Sequence, residues 1–340
     1  MIIKVKKGSS SDSINQLCAW LKEREIDYKR VYLKGSVYLV TSAQWKHNLN
    51  ISGMPTGPVE EMVHFDTEYQ LSARRHQAQN TVIDLGDGVV FGANKTVVMA
   101  GPCAVESLDQ TLRTAEFLSG KLGVKVFRAG AFKPRTSPYS FQGLESEGLR
   151  ILDRVREEFG MRIITEVKDN THLDEVADCA DIIQIGTKSM YLFNLLAQCG
   201  GINKPVLLKR GFMATIKEFL QAVDFIMSNG NPNVILCERG IRTFEPQTRF
   251  CLDVCSAALL REISHLPIVI DPSHAMGRSA QVPLIAQAAA AMEIDGILVE
   301  VHPNPDTAKS DKEQQLSFAQ FEEMMRRLNR ICESVNRKLV

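Results

Sequence analysis

Four absences narrow the reading of these 340 residues before any motif is considered. No apolar run of about 18 residues occurs, so no segment reads as a membrane-spanning helix. Neither charge is in surplus: Lys+Arg is 40 and Asp+Glu is 40, which argues against the basic excess of a nucleic-acid binder. The eight cysteines include no Cys-x-x-Cys pair, which fits reduced thiols better than a disulfide framework in a chain of this length. The start, Met-Ile-Ile-Lys-Val-Lys-Lys, lacks the apolar core and small-residue cleavage site of a signal peptide, so a cytoplasmic location is expected.

What is present is enough apolar material, 44% of the chain, for a large core. The length suits one domain of about 250 residues and a smaller companion. Residues 1–70 read as a small α+β unit. Ile2–Val5 suits a strand, and Ser11-Asp-Ser13 suits the cap of a helix over 14–25 with Ile14, Leu17, Cys18 and Leu21 on one face. Lys34-Gly35-Ser36 predicts a hairpin between strands 31–33 and 37–41, and 59–65 suits a last strand. Residues 71–80, part of a polar stretch with Arg74-Arg75-His76, read as a linker before a domain over 81–340. From residues alone, the small unit reads as a packing or oligomerisation module.

The larger domain opens with a predicted hairpin around Gly86-Asp87-Gly88 and then settles into a rhythm. Short β-branched runs at 97–100, 124–128, 162–167, 182–185, 205–209, 234–238, 267–270 and 296–301 are each followed by a helical pattern. Strands this apolar are covered on both faces, as parallel strands are. Eight strand–helix pairs in succession predict a closed (β/α)8 TIM barrel, with an open doubly wound sheet as the alternative.

In such a barrel, chemistry gathers at the C-terminal strand ends. There the sequence places Cys103, Arg128, Lys133, Arg135, Thr136, Glu166, Lys188, Lys209, Arg210, Glu238, Arg239, Asp271, His274, Glu300 and His302. The opposite ends carry no comparable cluster. A lone strand-end cation is usually a solvated charge. Several cations converging on one mouth of a neutral protein imply a strongly anionic ligand, held by guanidinium forks and ammonium point charges. A second constellation, Cys103, His274, Glu300 and Asp311, mixes sulfur, nitrogen and oxygen donors and suits a first-row transition metal. His302 and Asp306 are rival ligands near the same mouth. The bland alternatives are a buried, inert Cys103 and a structural His274. His265, His172, His64 and His47 read as surface or linker residues, and Cys251 with Cys255 as helix packing.

Taken together, several motifs carry a resemblance: Gly101-Pro-Cys103-Ala-Val-Glu-Ser107, Arg128-Ala-Gly-Ala-Phe-Lys133-Pro-Arg135-Thr136, Ile185-Gly-Thr-Lys188, Leu208-Lys209-Arg210-Gly211, Cys237-Glu-Arg239-Gly240, Asp271-Pro-Ser-His274 and Val299-Glu300-Val-His302. Over residues 81–335 the chain resembles the 3-deoxy-D-arabino-heptulosonate 7-phosphate (DAHP) synthases of type Iβ. The resemblance implies a (β/α)8 barrel that joins phosphoenolpyruvate to erythrose 4-phosphate, with a divalent metal of the Mn, Fe, Co or Zn type. It places metal ligands on Cys103, His274, Glu300 and Asp311. Phosphoenolpyruvate contacts fall on Arg128, Lys133, Lys188, Lys209 and Arg239, and erythrose 4-phosphate contacts on Lys133, Arg135, Thr136 and Asp271. Lys133 becomes the proton donor, and Glu166 a candidate to orient the attacking water.

The related octulosonate 8-phosphate synthases read Lys-Ala-Asn-Arg-Ser-Ser where this chain reads Lys133-Pro-Arg-Thr-Ser137, which favours the four-carbon aldose. A non-catalytic phosphometabolite sensor is the alternative from another class. The resemblance also implies a ferredoxin-like regulatory domain at residues 1–70, inhibition by Tyr or Phe, and a homotetramer. The Gly/Pro-rich stretch 52–58 departs from the second helix such a domain would carry.

Overall fold

The computed structural model describes residues 1–42, 51–133, 137 and 139–340. His47, Arg135 and Thr136 lie outside the described residues. The chain begins with β1 (Ile2–Val5), α1 (Ser11–Glu23), β2 (Tyr28–Leu33), β3 (Ser36–Thr41) and β4 (Val59–Val63), whose strands form a sheet in the order β2-β3-β1-β4. Every neighbouring pair is antiparallel. The β2–β3 turn holds Lys34 and Gly35 at φ 49° and 74°, the left-handed pair that a tight hairpin needs. Helix α1 starts three residues earlier than the sequence suggests, because the Ser10 hydroxyl accepts from Ser13 N at 3.2 Å and becomes the cap. Leu17, Cys18, Trp20 and Leu21 of α1 then close over Ile3, Val5 and Leu39 in a core of their own.

A two-stranded hairpin, β5 (Ile83–Asp84) and β6 (Val90–Phe91), leads into the eight strands of the barrel. These are β7 (Lys95–Gly101), β8 (Val126–Arg128), β9 (Arg162–Val167), β10 (Ile182–Ile185), β11 (Val206–Lys209), β12 (Val234–Glu238), β13 (Ile268–Ile270) and β14 (Gly296–Glu300). All are parallel and joined in sequence order, and β14 pairs with β7 to close the ring. The helices between them are α2 (Leu108–Glu116), α3 (Glu145–Phe159), α4 (Leu173–Cys179), α5 (Phe193–Gly200), α6 (Ile216–Met227), α7 (Val254–Ile263), and the pair α8 (Pro272–Met276) and α9 (Val282–Ala291). After β14 comes α10 (Phe318–Ser334), and β15 (Lys338–Leu339) adds to β7 at the start of that strand.

Alternation decides which side chains fill the lumen. Val97, Met99, Val126, Ile164, Ile182, Leu207, Ile235, Val269 and Leu298 form one buried cluster, closed by Ile83, Val89 and Phe91 of the hairpin. Their alternate neighbours, such as Val98, Ala100, Ile163 and Leu208, pack outward against the helices. Both faces are therefore apolar, which is why the strands read as unbroken hydrophobic runs.

The polar stretch 71–80 is fastened to the barrel along its first residues. Asp224 of α6 accepts from the backbone amides of Gln70, Leu71 and Ser72 at 2.6, 3.2 and 2.8 Å. Leu71 and Ala73 are buried in the barrel's outer core. His265, expected at the surface, is buried instead. Its ring nitrogens meet Thr81 Oγ1 at 2.8 Å and Leu71 O at 2.9 Å, so it locks this stretch to the start of β13.

A pH dependence follows. Burial holds the His265 pKa down at about 4, against 6.5 unperturbed, so the folded protein keeps it neutral. The unfolded chain takes up this proton first as pH falls, so stability is lost between about pH 6.5 and 4. The expected loss from His265 is about 2 kcal/mol between pH 7 and 5. Urea midpoints across that range should show it, and His265→Gln should flatten this part of the slope. An unchanged slope would contradict the neutral buried ring.

Candidate active site

The strand ends bring the proposed ligands together by register. β14 pairs with β7 so that Glu300 stands opposite Gly101, two residues before Cys103. Gly101, at φ 152°, is required there: a Cβ would lie 2.1 Å from the Arg128 carbonyl oxygen. After β13, Asp271 caps α8 by accepting from His274 N at 3.0 Å, with Pro272 in the first turn. This turn sends the imidazole inward.

Donor atoms of Cys103, Glu300 and Asp311 lie within 4.8 Å of one another. His274 Nε2 sits 3.4 Å from Glu300 Oε1 and 3.8 Å from Asp311 Oδ2, while Nδ1 is 2.7 Å from Asp271 Oδ2. A carboxylate on one ring nitrogen leaves the other for an ion, the usual pattern around a metal-binding histidine. The rival ligands stand apart. His302 Nδ1 accepts from Asn304 N at 3.0 Å and its Nε2 faces Glu106 Oε2 at 3.6 Å, and Asp306 is exposed.

The electrostatics fit a divalent cation. Burial, with Glu300 alongside, pushes the Cys103 thiol up to about 12. A cation at this point would take the place of that proton. Burial would raise the Glu300 carboxyl, yet His274 and Arg128 together hold it below its ordinary value. Burial keeps the His274 pKa below its ordinary value as well, favouring the neutral ring that a metal needs. The sulfur, nitrogen and oxygen donors match a first-row ion.

The cations surround this group. Arg128 Nη1 donates to Glu300 Oε1 at 2.7 Å and to Pro102 O at 3.0 Å. Lys133 Nζ donates to Cys103 O at 3.1 Å and to Cys103 Sγ at 3.2 Å. Lys209 Nζ reaches Asp271 Oδ2 at 2.6 Å. Arg239 is buried, and Lys188 stands exposed on the turn after β10. Glu166, at the end of β9, accepts from Gln184 Nε2 at 3.0 Å and is one of the charges acting on Lys133.

Two strand-end charges satisfy each other instead of facing the mouth: Arg210 Nη1 donates to Glu238 Oε2 at 2.8 Å and Asp253 Oδ2 at 3.0 Å. Asp271 has no exposed surface, and His274 and Lys209 take up its carboxylate. Cys251 and Cys255 are both exposed, and Cys251 precedes α7, so they are not a helix-packing pair.

Sequence reasoning missed the residues that fix the loop carrying Asp311. Gln314 Nε2 donates to Glu300 Oε2 at 2.5 Å. Gln315 spans two segments, accepting from Cys103 N at 3.0 Å and donating to Ser310 O at 2.7 Å. Ser310 Oγ lies 2.9 Å from Cys103 Sγ, and Arg249 Nη1 meets Asp311 Oδ2 at 3.3 Å. No signal marks these amides in sequence beyond their nearness to Asp311. Asp311 itself sits at φ 48°, a conformation the surrounding bonds must hold. A cavity of about 790 Å³ opens elsewhere, between the N-terminal sheet and α5 and α6. It gathers neither the cations nor the ligand donors.

Fold and rim together define a (β/α)8 barrel enzyme whose mouth joins a candidate metal centre to buried cations suited to anionic substrates. The chain belongs to the DAHP synthetase I family, which it matches over residues 75–337. It is 48% identical over 281 residues to the phospho-2-dehydro-3-deoxyheptonate aldolase of Thermotoga maritima, covering 83% of this chain and 82% of that one. It is 33% identical over 259 residues to the 2-dehydro-3-deoxyphosphooctonate aldolase of Syntrophotalea carbinolica, covering 71% and 92%. The crystal structure of DAHP synthase from Thermotoga maritima superposes with a TM-score of 0.80 at 40% identity, covering 100% of this chain and 99% of that one. A truncated form of the 3-deoxy-D-arabino-heptulosonate 7-phosphate synthase from the same organism gives 0.75 at 44% identity, covering 80% and 99%.

Proposed function

We infer that this chain condenses phosphoenolpyruvate with D-erythrose 4-phosphate and water to give DAHP and phosphate, the reaction that opens aromatic amino acid biosynthesis. The observation that carries the reading is the 48% identity to the Thermotoga enzyme, which spans most of both chains. The octulosonate relative is more distant, at 33%.

Cys103, His274, Glu300 and Asp311 would hold the divalent ion, which when bound supplies a Lewis acid to polarise the aldehyde. Lys133, beside them, donates a proton to the aldehyde oxygen as charge develops there. Arg128 and Lys133 hold the enolpyruvyl carboxylate. Lys188, Lys209 and Arg239 hold the phosphate that departs. Residues Arg135 and Thr136 are assigned to erythrose 4-phosphate. Asp271, fully buried and shared by His274 and Lys209, acts through those two side chains rather than on the sugar. Glu166, on the Lys133 side of the mouth, orients water toward the oxygen-bearing carbon of phosphoenolpyruvate. Fixing two anions in line supplies much of the rate by proximity.

Residues 1–70 form a regulatory unit in this reading, responsive to Tyr or Phe, within a homotetramer. Its support is the antiparallel order β2-β3-β1-β4 with α1 on one face, the arrangement of ferredoxin-like domains. The unit also touches the barrel: Lys29 Nζ donates to Ser228 Oγ and Asn229 Oδ1 of the α6 end, both at 3.1 Å.

A phosphoenolpyruvate-consumption assay tests the whole. Turnover is expected with erythrose 4-phosphate, lost on EDTA treatment and restored by Mn²⁺ or a similar ion, and lowered by Tyr or Phe. Turnover with arabinose 5-phosphate alone would move the chain to the octulosonate reaction. Activity that survives full metal removal would remove the metal site.

A further inference from the structure

Arg239 is unlike the other buried guanidinium groups. Arg128, Arg210 and Arg337 each reach a carboxylate, at 2.7, 2.8 and 3.2 Å. Arg239 is 3% exposed, and among the described residues no carboxylate lies within ion-pair distance of it. Its Nε has no hydrogen-bond partner, and Nη1 makes one long contact, 3.4 Å, to Gly240 O. A buried cation without a counter-charge is costly unless something else compensates.

Beyond the more distant charges of Asp271 and Glu238, two aromatic rings do so here. The Arg239 guanidinium carbon lies 4.1 Å from the centroid of Phe250 and 5.3 Å from that of Phe212. The rings stack on each other, 5.1 Å apart and 7° from parallel. Both come from loops at the barrel mouth, Phe212 just after β11 and Phe250 beyond β12. Their approach is built into the backbone. Gly240 sits at φ 93°, and a Cβ there would lie 2.7 Å from Phe250 Cβ. A guanidinium over ring faces is stabilised by their quadrupole, yet its N–H groups stay free to donate.

We propose that Phe250 and Phe212 are positioning residues that hold Arg239 without consuming its hydrogen bonds, and so set the affinity of the site for the phosphate of phosphoenolpyruvate. A carboxylate partner would instead compete with that phosphate for the same N–H groups. This rests on the reading of Arg239 as a phosphate contact. The same loop carries Arg249, which reaches Asp311, so one segment braces both halves of the mouth.

Steady-state kinetics of Phe250→Leu, Phe250→Tyr, Phe212→Leu and Arg239→Gln test it. Leucine keeps an apolar filler but loses the ring face. Phe250→Leu should raise KM for phosphoenolpyruvate about tenfold and weaken inhibition by inorganic phosphate to a similar degree, with kcat and KM for erythrose 4-phosphate within about twofold. Phe250→Tyr, which keeps a ring, should restore the parent values. Phe212→Leu should act in the same direction, more weakly, and supplies the test if Phe250→Leu does not fold. If Arg239→Gln raises KM for phosphoenolpyruvate and neither leucine variant does, the aromatic role is wrong and the phosphate site stands. If Arg239→Gln leaves that KM unchanged, the assignment of Arg239 itself fails.

Discussion

Cys103→Ala is expected to abolish measurable turnover, with metal affinity lower by more than about 100-fold, beyond what loss of a mere supporting contact costs. The bland alternative is that this thiol only fills space, as most buried cysteines do. Its surroundings argue otherwise. Cys199 and Cys332 are also buried, but they sit within the apolar core. Cys103 Sγ has Ser310 Oγ at 2.9 Å and Lys133 Nζ at 3.2 Å, with donor atoms of Glu300 and Asp311 close enough to share an ion. A packing thiol has no use for an ammonium and two acids.

Two readouts separate the cases. Titration of metal-free protein with Co²⁺ should give a thiolate charge-transfer band in the parent and none in Cys103→Ala. Isothermal titration should give the affinity loss directly. If Cys103→Ala binds Mn²⁺ as tightly as the parent and turns over within about tenfold of it, the thiol is not a ligand.

The barrel was legible because eight parallel strands, covered on both faces, must be apolar along their length, and β-branched runs followed by helical spacing record that. The strand-end chemistry was legible for the same topological reason: whatever follows a strand in such a barrel lies on one rim. Register sets Glu300 beside the segment that carries Cys103, and a capped turn sets His274 against Glu300, both local features. What stayed hidden depends on long-range satisfaction. Asp224 gathering three amides of the stretch after β4 cannot be seen from either segment alone. His265 is polar and follows a helix, so it reads as exposed until Thr81 and Leu71 supply its partners. Gln315 accepts from a residue 212 positions away, and nothing in its neighbours announces that. Arg210 and Arg239 are adjacent-strand arginines of similar context. Only the packing around each separates the one neutralised by Glu238 from the one laid over rings.

Lys133→Met should leave metal binding intact and lower kcat by about 10²- to 10³-fold, with a smaller effect on KM. Removal of one preorganised donor at the point where negative charge develops typically costs that much. Lys133 is well placed for it. It is 7% exposed, and its stem crosses Gly130 so closely that a Cβ there would lie 2.7 Å from Lys133 Cδ. Burial alone would lower its pKa, but Cys103, Glu166 and Glu300 raise it above the ordinary lysine value, which favours the ammonium form. Its present partners, a backbone carbonyl and a sulfur, are weaker acceptors than an alkoxide, so the proton has somewhere better to go once the new carbon–carbon bond forms. Methionine keeps much of the stem's volume without a charge, which limits collapse of the pocket. The comparison with Cys103→Ala makes the result diagnostic. A ligand loses metal and rate together, whereas a proton donor loses rate alone. If Lys133→Met also loses Co²⁺ binding, Lys133 serves to hold Cys103 in place, and the proton must come from elsewhere.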